Sequence, residues 1–95
     1  MIRLSRFMFI CDTEDEVDDC IEMLANKFAD YEGDAIDDWR EYTDGDDKLI
    51  MIMTPVGELL FFEVRKYDND YSVEFLASSW DSKSSKISKV SKNLK

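Results

Sequence analysis

The sequence contains no histidine, only two cysteines, one proline and three glycines. Without histidine, a Cys/His zinc site and every catalytic mechanism based on a histidine acid or base are excluded. Three glycines do not make a glycine-rich phosphate loop. The longest apolar runs, near 7–11 and 49–53, are far shorter than the roughly 20 residues that a membrane-spanning helix needs, and the N-terminus lacks a signal-peptide pattern. These absences favour a non-catalytic, cytoplasmic protein without a cofactor.

Length, apolar content and cysteine usage predict one small domain in a reducing compartment. Ninety-five residues, 44% of them apolar, are enough for a single domain with its own core. A disulfide between Cys11 and Cys20 is one interpretation, but two thiols in a cytosolic chain are usually reduced and buried. We therefore expect both cysteines to be free.

Negative charge is concentrated in one segment of the chain. Sixteen of the twenty-two acidic residues lie between Asp12 and Asp47, where Lys27 and Arg40 are the only basic residues. This segment has a formal charge of −14, whereas the whole chain has −10. Like charges packed so densely repel one another and raise the free energy of the compact state. The pattern favours a surface that binds a basic partner, and a merely solvated acidic face is the alternative interpretation.

The first two predicted elements are a buried strand and an amphipathic helix. Residues 3–11 are dense in apolar and aromatic residues, which is typical of a strand. Thr13 and Glu16 have the S/T-x-x-E spacing of a capping box, in which each side chain accepts from the other residue's amide. The apolar positions that follow recur at helical spacing and predict a stripe facing the core: Val17, Cys20, Ile21, Leu24 and Phe28. The outer side of this helix would be almost wholly carboxylate: Glu14, Asp15, Asp18, Asp19 and Glu22.

A second acidic helix is predicted from Asp34, as N-cap, to about Tyr42. Its expected inward residues are Ile36, Trp39 and Tyr42, and its expected outward residues are Asp37, Asp38 and Glu41. Residues 43–47 then read as a turn, because Asp and Gly favour turn backbone angles. Oxygen ligands for a hard cation such as calcium cluster in this turn, but the EF-hand order is missing, and we predict no metal site.

Three strands are predicted after the turn, at 48–54, 58–67 and 71–78, and the intervening segments 55–57 and 68–70 carry turn signals. The resulting order is β-α-α-β-β-β. We therefore predict an α+β fold, with an antiparallel sheet of about four strands and both acidic helices on one face. Four aromatic residues, Phe61, Phe62, Phe75 and Trp80, exceed what one inner face accommodates, so the far sheet face is a candidate dimer surface.

The predicted domain covers residues 1–80, and a serine-lysine tail follows at 81–95. Lysine occupies every third position of this tail: Lys83, Lys86, Lys89, Lys92 and Lys95. Ile87, Val90 and Leu94 lie at helical spacing, so the tail is either a docking helix or a flexible segment. A basic tail on an acidic body indicates self-association or screening of the acidic surface. Direct binding of nucleic acid is disfavoured, because the body would repel phosphate.

In size, acidity and charge pattern over residues 12–47, the chain resembles phage-encoded DNA-mimic inhibitors, including anti-restriction proteins of the Arn type and some anti-CRISPR proteins. The lysine tail departs from the uniformly acidic surface of many such mimics. The resemblance implies an inhibitor that helps a phage evade host defence, acting in the host bacterial cytoplasm as a monomer or homodimer. Its target would be the DNA-binding site of a restriction enzyme, CRISPR effector or nucleoid protein. The residues expected to contact this partner are acidic: Glu14, Asp15, Asp18, Asp19, Glu22, Asp30, Glu32, Asp34, Asp37, Asp38, Glu41, Asp44, Asp46 and Asp47.

Two other functions fit the sequence. The stretch from Tyr31 to Trp39 resembles the aromatic and acidic binding region of barstar, which implies an immunity protein or antitoxin that caps a basic nuclease. In that case Tyr31, Trp39 and Tyr42 would anchor the interface, and the carboxylates would steer association. Core packing is the competing role for Trp39. A structural or assembly protein with a solvated acidic face is the remaining alternative.

Overall fold

The computed structural model of the chain describes residues 1–80, and the predicted tail at 81–95 lies outside the described residues. The elements in chain order are β1 (Ile2–Arg3), β2 (Met8–Cys11), α1 (Glu14–Phe28), β3 (Asp38–Asp44), β4 (Asp47–Met53), β5 (Leu59–Lys66) and β6 (Tyr71–Ser78). The six strands form one antiparallel sheet in the order β1-β2-β6-β5-β4-β3. Helix α1 packs on one face of this sheet. Within residues 1–80, no helix has the length and apolar character needed to cross a membrane.

Helix α1 begins where the capping signal predicts. The Thr13 hydroxyl accepts a hydrogen bond from the Glu16 amide at 3.2 Å, which satisfies one of the free N–H groups of the first turn. The Glu16 carboxylate does not reach back to Thr13 but pairs with the amino group of Met1 at 2.6 Å. The apolar stripe is confirmed, since Val17, Cys20, Ile21 and Leu24 are buried and Phe28 is half-buried.

The core lies between α1 and the middle strands of the sheet. Alternate residues of β5 point toward the helix, so Leu60, Phe62 and Val64 are all buried. Phe28 from α1 stacks on Phe75 from β6, with ring centroids 4.6 Å apart and an interplanar angle of 5°. Each large side chain that is fully removed from water contributes about 1.5–3 kcal/mol. Packing of one helix on the sheet centre therefore supplies most of the apolar stabilisation.

The predicted fold class is wrong in two respects, because the sheet has six strands rather than about four and the described chain has one helix rather than two. The segment predicted as the second helix leads into β3, which pairs along its whole length with β4. Asp34 accepts from the Ile36 amide at 3.1 Å and Asp38 accepts from the Trp39 amide at 3.0 Å. Such local bonds from aspartate compete with helix formation. A helix here would also leave the β4 edge without its hydrogen-bond partner.

The predicted first strand is divided into the short strands β1 and β2, joined by a turn at 4–7. The amides of Leu4 and Ser5 both donate to the carbonyl oxygen of Met8, and the Ser5 hydroxyl accepts from the Phe7 amide at 3.2 Å. Serine hydroxyls form such turns without any glycine or proline. The single strand predicted for residues 3–11 is therefore wrong, because this region forms a hairpin.

The last three strands agree with their predicted ranges to within one residue at each end, and β6 agrees at both ends. Their alternation leaves the second face of the sheet uncovered by any element within residues 1–80, and we call it the open sheet face. Strands β4 and β5 give this face five large apolar side chains: Leu49, Met51, Met53, Leu59 and Phe61.

Candidate partner-binding surface

The outer side of α1 presents a row of exposed carboxylates. Its members, all exposed to solvent, are Glu14, Asp15, Asp18, Asp19 and Glu22, and we call them the acidic helix face. Asp18 is four residues from both Glu14 and Glu22, a spacing that places Cβ atoms about 5–6 Å apart. Within residues 1–80, none of these five carboxylates forms an ion pair. The row thus displays negative charge at short, regular intervals.

Strand β3 brings further residues to the same side of the molecule. Because side chains alternate along a strand, Trp39 and Glu41 face the helix side of the sheet. A groove of about 340 Å³ separates them from α1, and it is lined by Asp18, Glu22, Asp34, Ile36, Trp39 and Glu41. We call this the α1–β3 groove. It has acidic walls and apolar side chains, Ile36 and Trp39, packed against the core.

Glu41 is held in position on the rim of this groove. The indole N–H of Trp39 donates to Glu41 Oε2 at 2.9 Å, and Lys48 Nζ lies 3.3 Å from Glu41 Oε1. Both contacts are exposed, so each contributes little to stability. Their effect is to fix the carboxylate beside α1.

Partial desolvation and charge repulsion act in the same direction on Asp18. Partial desolvation, followed by the neighbouring charge of Glu41, raises the pKa of the Asp18 carboxyl above its ordinary value, although Lys48 opposes the shift. The carboxylates on the two sides of the groove therefore repel one another. A cationic group from a partner would relieve this repulsion.

The structure brings together some of the predicted contact residues and separates others. Asp30, Glu32, Asp34 and Asp37 are exposed along the connection between α1 and β3. Asp46 lines a second groove, of about 410 Å³, between the first half of α1 and the β3–β4 hairpin. Three predicted residues lie on the opposite side of the sheet, because their strand positions alternate with Trp39, Glu41 and Lys48: Asp38, Asp44 and Asp47. The prediction that 37, 38 and 41 share one outward helix face is therefore wrong.

Lys48 and Glu58 are two residues whose roles the sequence reasoning missed. Alternation with Ile50 and Ile52 would have placed Lys48 on the helix side, so the signal was present in the strand pattern. Glu58 is 2% exposed, accepts from the Asp30 amide at 2.8 Å and accepts from the Ser78 hydroxyl. Nothing in the sequence marks Glu58, since its partners are 28 and 20 residues distant. It ties the end of α1 to β5 and β6.

The described part of the chain contains few other groups that suit catalysis or metal binding. Cys11 and Cys20 are buried free thiols, and burial raises the pKa of Cys20 to about 12. Thiols of such high pKa are poor nucleophiles at neutral pH, because the thiolate is the reactive form. Among residues 1–80, no three Cys, Asp or Glu side chains are grouped closely enough to hold a metal ion.

Comparison with known proteins adds no relative to this picture: no protein-family model, no curated protein sequence and no solved structure matches the chain.

Proposed function

We propose that the protein is a non-catalytic inhibitor whose acidic helix face and α1–β3 groove occupy the DNA-binding site of a basic protein. The observation that carries this proposal is the carboxylate row on α1, which has no ion-pair partner within residues 1–80 and is extended across the groove by Glu41. Five exposed carboxylates on one 15-residue helix, without an ion pair among residues 1–80, are available to a basic partner.

The energetics of the helix support a binding role. Each like-charged pair at i, i+4 destabilises a helix by about 0.2–0.5 kcal/mol, whereas Glu followed by Lys would stabilise it. The helix dipole compensates acidic residues in the first turn only, so it does not offset Asp19 and Glu22. A basic partner replaces this repulsion with attraction. DNA-binding proteins carry the required cations, since Lys and Arg contacts to phosphate supply much of their affinity.

The proposed target is a restriction enzyme, CRISPR effector or nucleoid protein in a bacterial cytoplasm, which would be the host cytoplasm if a phage encodes the chain. The corrected fold reduces the proposed contact surface. The negative charge of this surface comes from α1 and from the helix side of β3. Asp38, Asp44 and Asp47 lie on the opposite side of the sheet and are not part of the proposed contact surface.

The experiment that tests this proposal is a pull-down from bacterial lysate on the immobilised protein, with stepped salt elution and competition by duplex DNA. We expect retention of a basic DNA-binding protein that raised salt releases and DNA displaces. Retention of no such protein, or of one indifferent to DNA, would contradict the proposal and leave the acidic helix face as a solvated surface.

Two triple variants with equal charge changes locate the contact. D18N/D19N/E22Q neutralises three members of the acidic helix face, and D44N/D47N/D68N neutralises three exposed aspartates elsewhere. We expect the first variant to lose the retained partner at lower salt and the second to behave like the wild type. Equal weakening by both variants would indicate non-specific attraction by net charge.

The alternative of a nuclease-capping immunity protein requires aromatic anchors that act together. Trp39 and Tyr42 are on opposite faces of β3, and Trp39 packs against the core. Tyr42 is 52% exposed, on the open side. The two side chains therefore cannot fill adjacent pockets of one partner. Loss of the retained partner on Tyr31→Ala or Trp39→Ala, with the triple charge variants silent, would favour this alternative.

A further inference from the structure

The open sheet face is an apolar surface that no described element covers. Met51, Met53, Leu59 and Phe61 are half-buried by their strand neighbours, and Leu49 is 39% exposed. The register places them side by side, with Met51 opposite Phe61 and Met53 opposite Leu59. Contiguous apolar surface of this kind marks a contact site. Its occupant must fit the charges at its border.

Two carboxylates border this apolar surface at the centre of the sheet. Glu63 on β5 and Glu74 on β6 are directly opposite each other, and like charges in this arrangement are destabilising. Arg65 pairs with Glu63 at 3.0 Å, whereas Glu74 forms no ion pair with any residue in 1–80. The occupant should therefore supply apolar side chains and at least one cation.

The chain itself continues from the border of this surface. Beyond the end of β6, the Ser79 amide donates to the Leu59 carbonyl oxygen at 2.8 Å, and the Ser79 hydroxyl accepts from the Leu59 amide at 2.9 Å. Ser79 therefore lies beside one end of the open sheet face, and residues 81–95 follow it closely in the sequence. Their sequence holds five lysines, and Ile87, Val90 and Leu94 occur at helical spacing.

The segment 81–95 has enough residues to reach Glu74 and the apolar residues of the open sheet face. Glu74 lies about 13 Å back along β6 from Ser78, at about 3.3 Å per residue. A helix over the fifteen residues from 81 to 95 would be about 22 Å long, at 1.5 Å per residue. A segment that folds back from Ser79 would thus pass Glu74 and span the apolar residues.

We propose that residues 81–95 fold back over the open sheet face of their own chain, with Ile87, Val90 and Leu94 on its apolar residues and a lysine beside Glu74. Charge favours this occupant over a second copy of the body. Residues 1–80 contain twenty-one acidic and seven basic side chains, so two bodies repel each other, whereas the tail is basic. The inference is independent of the proposed inhibitor function, because it concerns the side of the sheet opposite the acidic helix face.

A spin label on the tail of the full chain tests this placement. Asn93→Cys introduces one labelling site and keeps all five lysines, while Cys11 and Cys20 are buried and their raised thiol pKa values slow reaction with the reagent. We expect loss of amide NMR signal at Met51, Phe61 and Glu74. A mixture of labelled chains without ¹⁵N and unlabelled ¹⁵N chains should show no loss, since the contact is within one chain.

A second labelled variant separates packing from charge attraction. I87S/V90S/L94S keeps every lysine, and we expect it to restore the lost signals on the open sheet face. Signal loss at Asp18 and Glu22 instead would mean that the tail screens the acidic helix face, and loss of the open-face signals in the mixed sample as well would mean that a second copy is the occupant. Either result, or no loss beyond the residues next to Ser79, would overturn the proposal.

Discussion

The two faces of the sheet consist of alternate residues of the same strands, yet their surroundings differ. On the helix side, Phe62 is fully buried beneath α1. On the open side, no helix or strand within residues 1–80 covers the adjacent residue Phe61, which is half-buried. The outer side of α1 carries carboxylates, whereas the open sheet face carries apolar side chains together with charges of both signs.

This difference shows that one helix both fills the core and displays charge on its outer side. Helix α1 uses one stripe to fill the core and the other side to display charge. The open sheet face has no such division, and no element within residues 1–80 covers its apolar residues, which makes it a candidate contact surface. The acidic helix face and the open sheet face are therefore separate candidate interaction surfaces, and they can be tested separately.

Phe61 and Phe62 offer the largest test, because they are adjacent, identical and on opposite faces. Phe62→Ala removes a fully buried ring, and we expect the free energy of unfolding to fall by about 3–5 kcal/mol. Phe61→Ala should cost clearly less, since its ring is partly exposed. Chemical denaturation measures both losses. Equal losses would mean that the open sheet face is packed as tightly as the core.

Glu58 tests the buried polar contacts on the helix side. Glu58→Ala leaves the buried Ser78 hydroxyl and the part-buried Asp30 amide without their acceptor, and an unsatisfied buried group costs about 1–3 kcal/mol. Glu63→Ala, on the open sheet face, is the control and should change the free energy of unfolding by roughly 0.5 kcal/mol or less. Similar losses for the two variants in urea denaturation would remove the distinction between the faces at these positions.

Gly45 tests the hairpin that carries acidic residues on both sides of the sheet. Its φ of 62° lies in the left-handed region, and a Cβ there would meet no atom within 4 Å. Gly45→Ala should therefore destabilise through backbone strain alone, by about 1–2 kcal/mol. Gly45→Asn should recover part of this loss, because asparagine tolerates the conformation. Thermal unfolding of the two variants checks the order, and no difference from the wild type would contradict a left-handed Gly45.

Asp18 gives the smallest expected effect and the clearest pH dependence. Its raised pKa means that the folded chain holds the Asp18 proton more tightly than the unfolded chain, so stability falls as pH rises through that pKa. Asp18→Asn removes this loss and two like-charged i, i+4 pairs, each of about 0.2–0.5 kcal/mol. We expect a stabilised variant whose advantage over the wild type grows from acidic to neutral pH.

Asp19→Asn is the matched control for Asp18→Asn. It removes one like-charged i, i+4 pair, with Asp15, and does not line the α1–β3 groove. Its stabilisation should be smaller at neutral pH in parallel denaturation curves. If Asp18→Asn destabilises the fold, or if the two variants are equivalent, the repulsion across the groove is not what limits stability there.

Sequence patterns predicted those parts of the fold whose signals are local. The hydroxyl of Thr13 and the spacing of Val17, Ile21 and Leu24 identified α1, because capping and the helical repeat act within a few residues. Alternation and turn residues identified β4 to β6 in the same way. The five carboxylates of the acidic helix face followed directly from the helix, since their exposure is the complement of its apolar stripe.

Local signals do not decide between two structures that share one sequence pattern. Ile36, Trp39 and Tyr42 recur at a spacing that suits a helix face, but Trp39 and Tyr42 are also good strand formers. Pairing with β4 decides between the two, and that pairing joins residues separated in the chain. In residues 3–11, the high proportion of apolar residues predicted one continuous strand, although a serine turn separates β1 from β2.

By itself the sequence determined that one helix would be acidic on its outer side, that three strands would follow, and that residues 12–47 would hold most of the negative charge. Only the tertiary structure decided which carboxylates share a surface. Because β3 is a strand, its side chains alternate, so Glu41 faces α1 across the groove while Asp38, Asp44 and Asp47 point to the other side of the sheet. Local propensity cannot specify this sorting, since it depends on the hydrogen-bonded edge that β4 offers to β3.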